Sequence, residues 1–247
     1  MASTSPILHV LVIAHPDDES MFFVPTLRSL KARGETFWIL CLTTGDFDGL
    51  GAIRSKEMHQ AGVLLGAEKT IVCDTLKDHP TQRWNTEQVQ QQIQEALRSS
   101  LEDPNSWSRL ILMTFDDHGV SGHVNHIDTY HGVCALVNGG KELVVPSKHS
   151  TIPIEAWTLR SEKNLVSKYL PLVSWVVLFL SLLVPISTAK VDANSRTYRL
   201  FEPYWNWKAM TTHQSQFVWY RRLFVVFSCY TYVNILTRVE PKLTKKD

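Results

Sequence analysis

The sequence predicts an α/β fold in which helices alternate with the strands of a mostly parallel sheet. Short apolar runs rich in β-branched residues recur along the chain, and longer stretches with helical spacing of apolar residues separate them. The predicted elements end at glycine, proline or polar residues, which are typical of turns and helix caps. These observations favour a Rossmann-like, three-layer arrangement with helices on both faces of the sheet. A chain of 247 residues suits one such domain, residues 1–247, with a sizeable core.

The predicted elements alternate from the first strand onward. The apolar runs predict strands at residues 8–14, 37–43, 70–73, 110–114 and 154–159. The intervening sequence predicts helices at residues 21–32, 53–65, 85–100 and 123–137. Gly34 and Gly66 end the first two helices, and Gly139-Gly140 ends the fourth. Asn85-Thr86-Glu87-Gln88 resembles a capping box and predicts the start of the third helix.

Composition excludes some classes of protein. The formal net charge is +1, whereas a nucleic-acid-binding domain usually has a strong basic excess, so no nucleic-acid partner is expected. No pair of cysteines has metal-ligand spacing, and we expect free thiols rather than disulfides or a thiolate zinc site. The sequence also contains no N-glycosylation sequon, which favours a domain that faces the cytosol. The four cysteines are scattered at positions 41, 73, 134 and 229.

A cluster of ionisable residues follows the first predicted strand. His15, Asp17 and Asp18 come directly after the apolar run Val10–Ile13. Open α/β sheets bind ligands at the carboxyl ends of their strands. One histidine and two adjacent aspartates can supply two metal ligands and leave one carboxylate as a base. The alternative is an ordinary polar turn in which Asp18 or Ser20 caps the next helix.

A second cluster follows the strand predicted at residues 110–114. It contains His123 and His126, which lie on one face if they open a helix, because residues three apart are neighbours there. An isolated pair of this kind occurs by chance on surface helices. Combined with His15 and Asp18, one of these histidines would complete a zinc site with three protein ligands and an open position for water.

Four motifs distributed between residues 8 and 236 resemble those of one enzyme family. They are HPDDE at 15–19, TTGDFDGLGAIRSKEM at 43–58, TFDDHGVSGHVNH at 114–126 and HQSQFVWYRRLF at 213–224. The chain thereby resembles the PIG-L family, the N-acetylglucosaminyl-phosphatidylinositol de-N-acetylases of glycosylphosphatidylinositol (GPI) anchor biosynthesis. The first and third motifs are shared with de-N-acetylases of small glycosides, whereas the fourth resembles the eukaryotic branch with lipid substrates.

The resemblance implies a role for each polar residue of the first and third motifs. By position in the motifs, His15, Asp18 and His126 hold Zn²⁺ or another divalent metal. Asp17 is implied to be the general base that takes a proton from water. His123 is implied to stand beside the oxyanion or the leaving group, as an electrostatic or acid partner.

Further positions are implied to bind substrate. The resemblance implies that Arg54 contacts the phosphoinositol, for which a guanidinium is well shaped, although a surface arginine on a helix is the alternative. Asp46 and Asp116 lie at or just beyond strand ends and are candidates to accept hydrogen bonds from sugar hydroxyls. Loop aspartates also commonly cap their own backbone. Glu19 is expected to orient a ligand rather than to bind metal. The sequence assigns no mechanism to the polar residues of the fourth motif.

Two stretches of the sequence are candidates for membrane contact. Residues 169–189 contain no charged side chain, but only 13 residues separate Pro171 from Pro185. Because a spanning helix needs about 20 apolar residues, we expect this segment to lie in the membrane interface. A true span and a buried core helix are the alternatives.

The second stretch, residues 217–236, interleaves aromatic residues with Arg221 and Arg222. Aromatic rings favour the headgroup level of a bilayer, and arginine is attracted to anionic lipid. The alternative is a C-terminal helix that packs on the sheet with its arginines in solvent.

The resemblance and these patterns predict a zinc-dependent de-N-acetylase that acts on N-acetylglucosaminyl-phosphatidylinositol at a membrane surface. The implied location is the endoplasmic reticulum membrane, with the catalytic domain facing the cytosol. One rival function is deacetylation of a soluble glycoside, and another is that of a non-catalytic membrane adaptor. The sequence leaves the oligomeric state open.

Overall fold

A computed structural model describes residues 6–140, 142–145, 149–169, 193–200 and 202–240. In this part of the chain eight strands form one mixed sheet in the order β3-β2-β1-β4-β6-β8-β7, with β5 paired to β6. The strands are β1 (Ile7–Ile13), β2 (Phe37–Cys41), β3 (Lys69–Val72), β4 (Arg109–Phe115), β5 (Glu142–Val145), β6 (Ser150–Leu159), β7 (Ser195–Arg199) and β8 (Val233–Arg238). The central strands β3, β2, β1, β4 and β6 are parallel, which confirms the mostly parallel sheet.

Helices cover both faces of the sheet, and two apolar cores result. The helices are α1 (Val24–Ala32), α2 (Gly51–Leu65), α3 (Thr86–Ser100), α4 (Gly119–Gly122), α5 (Val124–Asn138), α6 (Leu165–Tyr169), α7 (Tyr204–Met210) and α8 (Trp219–Phe227). Residues of α3 and α5 share one core with alternate residues of β1 and β4. Residues of α1, α2 and α7 share the other core with the remaining residues of those strands. The three-layer arrangement is therefore the one predicted.

The predicted elements of the first 160 residues occur within a few residues of their predicted ends. Asn85 caps α3, since the amides of Glu87 and Gln88 donate to its Oδ1 at 2.8 and 3.3 Å. Gly66 ends α2 in the left-handed conformation, with φ of +89°. One departure is local, because a π-helical turn at Glu19–Phe23 precedes α1.

The antiparallel strands β5, β7 and β8 were not predicted, and a C-terminal helix over residues 217–236 is wrong in part. α8 ends at Phe227, and the chain then forms β8, which lies between β6 and β7. In β8 burial alternates, with Asn234 and Leu236 inside, as expected for a strand with covered and open faces. The change from helical to strand periodicity is difficult to recognise in the sequence, because aromatic residues occur throughout this stretch.

A buried asparagine connects β8 to the start of α1. The backbone amide and Oγ1 of Thr26 both donate to Asn234 Oδ1, at 3.1 and 2.8 Å. The amide nitrogen of Asn234 in turn donates to the carbonyl of Phe22 at 2.8 Å. The unpredicted strand therefore fixes the π-helical turn that begins at Glu19, the last residue of the first polar motif.

The segment predicted to contact the membrane interface, residues 169–189, lies outside the described residues except for Tyr169. Among the described residues, no helix combines the length and the apolar character needed to cross a bilayer.

Candidate metal centre and active site

The two polar clusters meet at the carboxyl ends of adjacent strands. β1 and β4 pair in parallel, with Leu11 opposite Met113, so the loops that follow them lie side by side. The ring of His15 is 4.9 Å from that of His123 and 5.5 Å from that of His126, between centroids. The sequence therefore correctly placed these histidines, 108 and 111 positions apart in the chain, in one site.

Asp18 lies between two of the histidines. Its Oδ1 is 3.1 Å from His126 Nε2, and its Oδ2 accepts a hydrogen bond from the His15 amide at 2.8 Å. The Nδ1–H of His126 donates to the carbonyl of Gly119 at 2.9 Å, which leaves Nε2 to face the carboxylate. Burial opposes ionisation of Asp18, but His126 and His15 outweigh it and lower the pKa of that carboxyl below its usual range.

The donor set fits a zinc ion. Ring nitrogens of His15, His123 and His126 lie within 4.8 Å of one another. The Nε2 of His15 is buried without a hydrogen-bond partner, as expected of a nitrogen that would bind metal. A lone pair on His126 Nε2 that faces an anionic oxygen also requires a cation or proton between them. Neutral imidazoles with a carboxylate are ordinary zinc ligands. Two of the predicted ligands, His15 and His126, belong to this group, whereas its third member is His123 and not Asp18. Asp18 lies beside the group through its contact with His126, and the roles of all three predicted ligands stay predictions.

His123 differs from the other two histidines in its hydrogen bonding. It caps α5, and its Nδ1 accepts a hydrogen bond from the Asn125 amide at 3.3 Å. Burial, with the neighbouring His15 and His126, lowers the pKa of His123 to about 4. A neutral imidazole whose Nδ1 accepts must carry its proton on Nε2. This tautomer favours the predicted role of His123 as a hydrogen-bond donor over a role as a fourth ligand.

Asp17 lies against arginine side chains, whereas Asp18 contacts histidines. Its backbone has a φ of +112°, a conformation that L-residues rarely adopt and that strained functional sites often contain. Arg221 Nη1 lies 2.5 Å from Asp17 Oδ2, and Arg54 Nη2 lies 3.9 Å from the same oxygen. Burial raises the pKa of Asp17 above its usual value, because the two arginines only partly offset it. The two adjacent aspartates thus have separate environments, as two separate roles require.

Glu19 forms a buried ion pair with the fourth motif. Its Oε1 lies 2.6 Å from His213 Nε2, and both side chains are wholly buried. Its Oε2 accepts a hydrogen bond from the Asp17 amide at 3.1 Å, which supports the strained backbone there. The expectation that Glu19 orients its neighbours agrees with these contacts. His213, to which the sequence assigned no role, is its partner.

Two other residues of the fourth motif form hydrogen bonds that position their neighbours: Ser215 bonds to Glu57 of the second motif, and Gln216 bonds to Arg221. The amide and Oγ of Ser215 donate to the carboxylate of Glu57 at 2.8 and 2.6 Å. Arg221 Nη1 donates to Gln216 Oε1 at 2.7 Å as it approaches Asp17. Sequence reasoning missed Arg221 as a site residue. The sequence did contain an indication of this role. Arg221 stands in an aromatic stretch, and an arginine that is buried among such residues needs a charged partner.

Arg54 is buried and braces two loops. Its Nη1 donates to the carbonyl of Gly45 at 2.8 Å, and its Nη2 donates to the carbonyl of Pro16 at 2.9 Å. Its Nη1 also lies 3.6 Å from Asp78 Oδ2. A surface position on the helix is therefore wrong for this arginine, and its predicted contact with phosphoinositol stays a prediction.

The sequence analysis did not identify Asp78, because this residue belongs to none of the four motifs. The structure nevertheless places it beside His15 and Arg54. Its Oδ1 is 3.1 Å from His15 Nε2, outside hydrogen-bond geometry. Burial opposes ionisation of this carboxyl, but His15 and Arg54 lower its pKa. Asp78 therefore adds negative charge beside the candidate metal ligands.

Asp46 and Asp116 contact backbone and hydroxyl groups of the protein. Asp46 Oδ1 accepts a hydrogen bond from the amide of Gly51, the first residue of α2, at 2.6 Å. The carboxylate of Asp116 accepts from the amide and Oγ of Ser161 at 2.6 and 2.5 Å. The contact of Asp46 is the local capping of the alternative interpretation, and so is the hydrogen bond that Asp116 Oδ1 accepts from the His118 amide at 3.1 Å. Ser161 is a distant partner, 45 positions from Asp116. Sugar binding by either aspartate stays a prediction.

Replacing Gly45 with alanine is expected to damage this site. Gly45 has a φ of +70°, and a Cβ there would lie 2.4 Å from Cζ of Arg54. Gly34 provides the matched control, since its φ is +69° and its Cβ would meet nothing within 4 Å. Gly34→Ala should cost about 1 kcal/mol in the free energy of unfolding, the cost of the backbone conformation alone. Gly45→Ala should cost more, because Arg54 must also move.

Denaturant unfolding of the two variants, together with deacetylase activity, measures the difference. Equal loss of stability in both variants, with activity retained in Gly45→Ala, would contradict the bracing role of Arg54.

Comparisons with known proteins identify relatives of this chain. A family model described as PIG-L: GlcNAc-PI de-N-acetylase matches residues 10–137. A probable N-acetylglucosaminyl-phosphatidylinositol de-N-acetylase of Dictyostelium discoideum is 30% identical, covering 94% of this chain and 93% of the relative. The corresponding protein of Bos taurus is 32% identical, covering 92% of this chain and 81% of the relative. The N,N'-diacetylchitobiose deacetylase of Pyrococcus horikoshii has a similar fold, with a TM-score of 0.63, 16% identity and coverage of 94% and 83%.

Proposed function

The chain belongs to the PIG-L family of deacetylases, and on this premise we propose that it hydrolyses the acetamide of N-acetylglucosaminyl-phosphatidylinositol. The products are glucosaminyl-phosphatidylinositol and acetate. This reaction is the second step of GPI anchor biosynthesis. We accordingly place the enzyme at the endoplasmic reticulum membrane, with its catalytic domain facing the cytosol.

The observation that carries the reaction type is the buried carboxylate of Asp17 beside a group of histidines with the spacing of metal ligands. Hydrolysis of an amide needs a base for the water and a proton for the departing nitrogen. Asp17 is 3% exposed and has a raised pKa, whereas its neighbour Asp18 has a lowered one. Two carboxyl groups with pKa values shifted in opposite directions suit a division of labour between base and ligand.

Each residue of the centre has a defined task in this proposal. His15, Asp18 and His126 would hold a zinc ion, which when bound would supply Lewis-acid chemistry that lowers the pKa of water and polarises the acetamide carbonyl. Asp17 accepts the proton of the attacking water and hands it to the amine nitrogen. His123 donates its Nε2–H to the developing oxyanion or to the leaving nitrogen.

The substrate is supported by the relatives and by the fourth motif. Relatives named for this activity match more than nine-tenths of the chain at 30% and 32% identity. The fourth motif, which resembles the lipid-substrate branch, reaches the base itself through the contact between Arg221 and Asp17. A deacetylase of soluble glycosides is the second candidate, because the first and third motifs are common to both groups.

Acetate release distinguishes these functions. The purified protein is assayed on N-acetylglucosaminyl-phosphatidylinositol in detergent micelles and on the same headgroup without its lipid. We expect turnover of the lipid that a chelator abolishes and zinc restores. Faster turnover of the free headgroup would favour the soluble-glycoside function. Absence of both turnover and bound metal would favour the adaptor.

A further inference from the structure

Helix α8 presents large apolar side chains to solvent. Five of its nine residues are aromatic or aliphatic and at least 41% exposed, and we call them the outer face of α8: Trp219, Tyr220, Leu223, Val226 and Phe227. Their spacing places them along one stripe of the helix. A helix on a protein surface ordinarily has polar residues on this side. An exposed apolar stripe of this kind marks an interaction surface.

The opposite face of α8 is fixed to the catalytic centre. Val225 is buried, and the ring of Phe224 packs edge-on against that of Phe22, with centroids 5.4 Å apart. Phe22 in turn contacts the ring of His126, with centroids 5.9 Å apart. Arg221 extends inward from the same helix to Asp17. Because the inner face is held in this way, the outer face of α8 is not a displaced part of the core.

A groove of about 490 Å³ lies along α8. Met21 and Tyr169 form its edge together with residues of the helix, and Arg221 is the charged residue in its lining. Met21 lies two residues beyond the end of the first polar motif, within the π-helical turn. An apolar groove thus opens beside the arginine that contacts the proposed catalytic base.

Neighbouring features favour a lipid surface as the occupant. The sequence that follows Tyr169 at the groove edge has no charged residue before Lys190. On the other side, the guanidinium of Arg222 lies 5.0 Å from the ring centroid of Phe217, and that ring packs 4.9 Å from Trp207. Exposed tryptophan and arginine side by side suit the boundary between apolar chains and anionic headgroups.

We propose that the outer face of α8 and the adjoining groove dock on a phospholipid bilayer that contains anionic headgroups. The apolar stripe enters the boundary between headgroups and acyl chains, and Arg222 contacts the headgroup phosphates. Docking in this way turns the groove, and with it Arg221 and Asp17, toward the lipid. The proposal stands whichever acetamide is hydrolysed, since it rests on the surface and not on the reaction.

Vesicle flotation of the full chain tests this docking without an activity assay. Leu223→Ser/Phe227→Ser should lower partitioning onto vesicles of phosphatidylcholine and phosphatidylserine about tenfold or more, since two apolar side chains no longer enter the bilayer. Val63→Ser/Val144→Ser, at exposed positions on α2 and β5, is the matched control and should bind as wild type. Arg222→Gln should weaken binding about fivefold, and only when phosphatidylserine is present.

Quenching gives an independent readout. Brominated phospholipid should quench the fluorescence of the wild-type protein more than that of Trp219→Phe, because Trp219 is the most exposed ring of the outer face of α8. Unchanged flotation of Leu223→Ser/Phe227→Ser overturns the proposal, and so does equal quenching of wild type and Trp219→Phe. In either case the remaining occupant to test is a second copy of the chain, which sedimentation would reveal.

Discussion

Asp17→Asn is expected to retain bound metal and to lose about 10²- to 10⁴-fold in kcat, the usual contribution of a general base. The asparagine amide has nearly the size of the carboxyl but cannot accept a proton from water. The ligands His15, Asp18 and His126 are unchanged, so the metal centre should persist. Elemental analysis of the purified variant gives the metal content, and acetate release gives the rate.

Asp18→Asn is the matched comparison. Asp18 contacts both His15 and His126, so its substitution should remove metal together with activity. Loss of metal from Asp17→Asn with retention by Asp18→Asn would show that the two carboxylates have the opposite roles. Asp17→Asn also removes the negative charge that faces Arg221, and a Gln216→Ala variant distinguishes this effect. It loosens Arg221 but keeps the base, so it should reduce kcat far less.

The parallel part of the fold was predictable because its signals are local. Each strand of that part is a short apolar run, and each following helix begins or ends at a residue with a known cap or turn preference, such as Asn85 or Gly66. That His15 would meet one of the two downstream histidines followed from one further rule, that the carboxyl ends of parallel strands lie at one edge of the sheet. The choice of His126 came from the family resemblance. No contact had to be known in advance.

The C-terminal third was harder because its elements are defined by distant partners. β8 is stabilised by pairing with β6 and β7 and by the hydrogen bonds of Asn234 to the turn before α1. Asp78 lies beside His15, and Arg221 lies beside Asp17. The sequences around these two residues do not indicate that they are close to the candidate active site. The local sequence pattern indicates which residues form a helix or a strand. These contacts depend instead on how the helices and strands pack together.

His213→Ala is expected to lower the free energy of unfolding by about 3–5 kcal/mol, the cost of removing one partner of a buried ion pair. Glu19 and His213 are both wholly buried, so the remaining carboxylate would have no solvent to replace the imidazole. Urea unfolding at neutral pH measures the change. Adding Glu19→Gln to His213→Ala should restore part of the loss, because the stranded charge is then removed. A double variant as unstable as the sum of its single variants would contradict this coupling.

The same pair gives the stability a defined pH dependence. Burial alone would lower the pKa of His213, but Glu19 outweighs it and raises that pKa above its ordinary value. A raised histidine pKa stabilises the fold fully below the unfolded pKa of about 6.5 and loses its effect as pH rises through the folded pKa. The stability difference between wild type and His213→Gln should therefore be largest in mild acid and shrink toward alkaline pH. A difference that grew with pH would contradict the raised pKa of His213.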